Sequence, residues 1–73
     1  MPIPREILFN EQDAACLETA ILRLTGQAAV THVTRSPDGH PIYVVSTCAL
    51  DSQELAELRF AVQFARRPVP MRW

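Results

Sequence analysis

The sequence has no lysine; all seven of its basic residues are arginines. It holds only two glycines and two cysteines among 73 residues. No apolar run approaches the roughly 20 residues of a membrane-spanning helix. The start, Met1-Pro2-Ile3-Pro4-Arg5-Glu6, lacks the basic-then-apolar layout of a secretory signal. Cys16 and Cys48 have neither metal nor redox spacing, so two buried, reduced thiols in a cytoplasmic protein are the expectation, with a disulfide left open.

Catalytic chemistry is equally sparse. His32 and His40 are the only histidines, and nucleophilic catalysis needs a base that is itself held by a third group. No Gly-rich segment is present to cradle phosphate, because Asp38-Gly39 reads as a turn. His32, His40, Cys16 and Cys48 are suitable zinc-ligand types, yet no two of them form a local pair. The chain is read as a non-enzyme without cofactor or metal.

What is present is a small apolar domain, 48% hydrophobic by composition, too apolar for disorder. At this length a fold buries only about 60% of its unfolded surface, so its stability margin is thin. Two β-rich runs, Val30-Thr31-His32-Val33-Thr34 and Ile42-Tyr43-Val44-Val45, flank Ser36-Pro37-Asp38-Gly39. Pro37 presets φ, and Gly39 accepts a positive one, so a type I turn closed by a glycine bulge is predicted. If Ser36 pairs with His40, Val33 faces Tyr43 and Thr31 faces Val45. Neither hairpin face is clearly polar. Ile42 and Val44 are expected to meet the helices, with Tyr43 facing out.

A helix is predicted on each side. The first runs from Glu11 to Thr25, with Asn10 as N-cap, Asp13 as a capping partner and Gly26 as C-terminal cap. Ala14, Leu17, Ile21 and Leu24 draw its apolar stripe, with Glu18, Thr19 and Arg23 away from it. The second begins at Asp51, with Glu54 closing a capping box and Leu50 and Leu55 a hydrophobic staple. Leu55, Leu58, Ala61, Val62 and Ala65 form its main face, and Pro68 stops it. Ahead of both, Ile7-Leu8-Phe9 suits a short edge strand or a hydrophobic cover. The fold class is therefore α+β, helix–β-hairpin–helix, with a possible N-terminal edge strand. Residues 1–67 make one domain, and 68–73 an extended Pro/Arg/Trp tail.

Several residues do not fit a purely internal role. Phe60 and Phe64 project well over 100° from the main face of the second helix, at 100° per residue. Either Ile3, Ile7 and Leu8 cover them, as the cost of exposed neighbouring phenylalanines suggests, or they form an aromatic contact site. Charge is also uneven. Residues 1–57 hold eight acids and three arginines, −8 + 3 = −5. Residues 58–73 hold Arg59, Arg66, Arg67 and Arg72 and no acid, +4. Arginine forks bind carboxylates and phosphates bidentately. Trp73 and Met71 add residue types enriched where proteins meet. Tyr43, Phe60, Phe64, Arg66, Arg67, Arg72 and Trp73 are thus the candidate partner-binding residues.

Direct nucleic-acid binding is not expected. A helix–turn–helix needs its helices a few residues apart, and a pI near 6.0 is low for a dedicated binder. A homodimer through the hairpin edge or outer face is an alternative. In length, arginine-only basic residues and compact helix–hairpin–helix plan, the whole chain resembles the tiny host-takeover proteins of bacteriophages. It is most similar in style to the small RNA-polymerase-binding transcription regulators of Xanthomonas phage. The resemblance implies a regulator that binds the largest polymerase subunit, displaces σ factor and suppresses termination in the host cytoplasm. Phage anti-defence inhibitors are equally similar in size and style.

Overall fold

A computed structural model describes residues 3–66, with Arg66 described by its backbone alone. The elements are β1 Arg5–Leu8, α1 Glu11–Thr25, β2 Val30–Arg35, β3 Pro41–Ser46 and α2 Ser52–Arg66. The expected α+β order is present, and the N-terminal strand forms. The sheet order is β1-β3-β2, with both neighbours antiparallel to the central β3. It follows that β1 and β2 run parallel to each other and that α1 is the crossover between them.

The turn chemistry sets the hairpin. The Gly39 N–H donates to the Ser36 carbonyl, and the Ser36 N–H to the His40 carbonyl, each at 2.9 Å. Gly39 sits at φ 89, a left-handed value that suits glycine. The Ser36 hydroxyl donates to the Asp38 carboxylate. From this turn the register runs Thr34–Ile42, Val33–Tyr43, His32–Val44 and Thr31–Val45, as the sequence predicts.

The helix ends are also where local chemistry puts them. Asn10 Oδ1 accepts the Gln12 N–H at 2.7 Å, relieving one orphan donor of α1. Gly26 closes α1 at φ 77, its N–H donating to the Leu22 carbonyl at 2.8 Å. At α2 the capping box is reciprocal. The Glu54 N–H donates to Asp51 Oδ1 at 2.7 Å, and the Asp51 N–H donates to Glu54 Oε1 at 3.0 Å. Asp51→Ala is expected to cost about 1 kcal/mol. On a domain of this size that lowers Tm by about 4–8 °C, measurable by thermal circular dichroism.

The core is Leu8, Ala14, Leu17, Ile21, Val45 and Leu55, with Ala29, Tyr43, Leu50, Leu58 and Val62 packed against it. Leu50 packs against the core cluster that contains Leu55, its expected staple partner. Both helices lie on one face of the sheet, α1 towards β3 and β2 and α2 towards β1. Thr47 is buried with its N–H donating to the Pro4 carbonyl and its Oγ1 accepting the Ala49 N–H, at 3.1 and 3.0 Å.

Five expectations are corrected. The helices cover the face of Tyr43, Val45 and Thr47, not that of Ile42 and Val44. Leu24 is exposed, because it lies about 50° from the centre of the Ala14–Leu17–Ile21 arc at 100° per residue. Ala61 and Ala65 are exposed, because the buried arc of α2 is rotated towards Arg59. Cys48 is exposed and Cys16 half-buried, and both thiols are free. Glu18, expected off the packed face, is half-buried and accepts a hydrogen bond from the Thr31 hydroxyl.

Candidate functional site

The outward side of α2 is the most conspicuous surface. Phe60 and Phe64 stand one helical turn apart, 64% and 75% exposed, and with Ala61 and Gln63 they line a shallow apolar depression. The expected cover is not there. Pairing of β1 with β3 turns Leu8 into the core, while Ile3 and Ile7 remain exposed. Once those residues belong to the sheet, they cannot also wrap the far side of a helix that packs on that sheet.

Phe60 is held from beneath. The Arg59 guanidinium lies 5.5 Å from the centre of the Phe60 ring, within cation–π range. Arg59 Nη1 meets Glu6 Oε1 of β1 at 3.3 Å, with both side chains mostly buried. A single arginine thus ties α2 to the sheet edge and supports an exposed aromatic ring. Arg59 also leaves the set of outward charges, since its own ion pair occupies it. Neither role was assigned to Arg59 or Glu6 from the sequence. A basic residue four after Leu55 and three before Val62, inside the apolar arc, was the available signal; its partner emerges only when β1 joins the sheet.

The other candidates separate. Tyr43 is half-buried against the core on the helix-covered face, so it is not part of the outward α2 surface. The side chain of Arg66, and all of Arg67, Arg72 and Trp73, lie outside the described residues. So does the 68–73 tail. Of the partner-binding set, the structure brings together Phe60 and Phe64 alone.

The two histidines lie at separate places in the hairpin. His40 is exposed in the turn, its Nε2 3.6 Å from Asp38 Oδ2. His32 is exposed on β2. Among the described residues no three His, Cys, Asp or Glu side chains converge as a metal site would require. No helix among them is long and apolar enough to cross a membrane. Comparison with protein-family models, curated proteins and solved structures finds no match to this chain.

Proposed function

We propose that this chain is a small, non-enzymatic, cytoplasmic protein-binding regulator that docks through the outward face of α2. The observation that carries this is the exposed Phe60–Phe64 pair on α2, with Phe60 supported by Arg59, which Glu6 in turn holds. Two neighbouring aromatic rings on a rigid helix bury large apolar area at little conformational cost when a partner covers them. Arg66, Arg67 and Arg72, with no acid among residues 58–73, add positive charge at the same end of the chain. The partner surface that fits is an apolar groove with an acidic rim. Bacterial RNA polymerase is the partner proposed, on the resemblance to phage transcription regulators.

Binding to purified bacterial RNA polymerase, by biolayer interferometry and by an initiation and termination assay, tests both parts. The wild-type chain is expected to bind and to alter transcription. Phe60→Ala with Phe64→Ala is expected to weaken binding by at least about 30-fold, the effect of one buried aromatic anchor at about 2 kcal/mol. Absence of binding rejects the polymerase, and an unweakened double variant rejects the α2 face. Truncation after Arg67 reads the contribution of the tail, and unchanged affinity would confine the contact to the helix.

A further inference from the structure

We infer that the open edge of β2 pairs with β2 of a second copy, antiparallel about a two-fold axis at Val33. Two three-stranded sheets then join into one, with all helices on the same side.

The two sheet edges are built differently. The β1 edge is short, follows Pro4, and carries Arg5 and Glu6, with Glu6 tied to α2. Prolines, charges and covering elements are how sheet edges avoid pairing. Among the described residues the β2 edge has none of these over most of its length. It runs six residues, contains no proline, is mostly β-branched, and meets its first formal charge at Arg35.

Its backbone is poised for a partner. Because the Ser36 N–H bonds the His40 carbonyl, the pairs Thr34–Ile42, His32–Val44 and Val30–Ser46 exchange bonds with β3. The N–H and C=O groups of Thr31, Val33 and Arg35 consequently point to the open edge. An antiparallel copy centred on Val33 sets Val33 against its equivalent and Thr31 against Arg35 of the second copy. Directly opposed residues share a sheet face, so both helix layers fall on one side.

Charge complementarity identifies the occupant as a second copy rather than a foreign strand. The Thr31 hydroxyl donates to the Glu18 carboxylate. Arg35 of the second copy, opposite Thr31, comes beside that carboxylate, and the two-fold repeats the pair. Within one copy Arg35 Nη1 donates to the Gly39 carbonyl, at 3.1 Å, and forms no ion pair among the described residues. A two-fold at His32 would instead oppose Arg35 to Ala29, leaving it without the acid. Exposed apolar side chains follow the same edge. Val33 is 63% exposed, and Leu22, one turn beyond Glu18 on that flank of α1, is 48% exposed.

Light scattering after size exclusion is expected to give twice the 8.2 kDa chain mass. Amide exchange by NMR is expected to be slow at Thr31, Val33 and Arg35, whose N–H groups would face water in a monomer. Val33→Pro removes an N–H that makes no bond to β3, and it is expected to yield a folded monomer. Arg35→Glu is expected to weaken dimerisation by tenfold or more, with Glu18→Arg added to it restoring the dimer. Phe60→Ala with Phe64→Ala leaves the mass unchanged, which separates this inference from the proposed α2 contact. A wild-type monomer from micromolar to millimolar concentration overturns it. So does a dimer indifferent to both Arg35→Glu and Val33→Pro, or protection at the edge that arises only when another protein is added. If Val33→Pro fails to fold, the charge-swap pair decides.

Discussion

Val45→Asp is expected to abolish cooperative folding at 25 °C. Val45 is fully buried in the middle strand, beneath α1 and in one core cluster with Leu55 of α2. A carboxylate there is desolvated, and no cation among the described core residues stands ready to pair with it. An unpaired buried charge costs several kcal/mol. A domain of this length has about 4–11 kcal/mol in total, at 0.05–0.15 kcal/mol per residue. The loss therefore consumes most of the stability, and loss of the sigmoidal urea transition is the readout. A matched pair isolates the sheet face from strand propensity. Val45→Thr buries a hydroxyl and is expected to cost about 1–3 kcal/mol. Val44→Thr keeps the same β-branched shape on the half-exposed opposite face and is expected to change stability by less than about 0.5 kcal/mol. Equal effects at the two positions would contradict the observed packing.

Leu8→Ala is expected to destabilise as strongly as Leu17→Ala, by about 2–5 kcal/mol each in urea unfolding. Leu17 lies mid-helix in an obvious apolar stripe, whereas Leu8 is the last residue of a four-residue strand. Both are nonetheless fully buried in the same cluster. Deleting either leaves a cavity that a core of six buried side chains has little freedom to fill. A small effect at Leu8 would mean that β1 is an accessory cover. A large one makes it part of the cooperative unit, because its pairing with β3 turns a marginal hairpin into a three-stranded sheet.

Local features were legible where a few neighbouring residues settle the matter. Asn10, Gly26 and the Asp51–Glu54 pair cap their helices through contacts within three or four positions. Ser36-Pro37-Asp38-Gly39 fixed the hairpin register for the same reason. The candidate site was legible in part. Helical periodicity alone turns Phe60 and Phe64 away from Leu55 and Val62, and their exposure agrees. The support of Phe60 by Arg59 was not, since Arg59 is held by Glu6, more than fifty residues away in sequence. Likewise, the pairing of Thr31 with Glu18 joins a strand to a helix and has no local signature.

The helix boundaries, the turn, the strand register and the off-face position of the two phenylalanines were determined by the sequence itself, through short-range hydrogen bonds and periodicity. Which hairpin face is buried was decided only by the tertiary structure. Both faces carry a similar apolar load, with Ile42 and Val44 on one and Tyr43 and Val45 on the other. A hydrophobic pattern cannot choose between them. The choice falls to the crossover: β1 and β2 run parallel with β3 between them, and the hand of the α1 connection selects the face it covers. Handedness belongs to a path through space. It enters once β1 takes its place in the sheet, bringing Leu8 to the core and leaving β2 as the open edge.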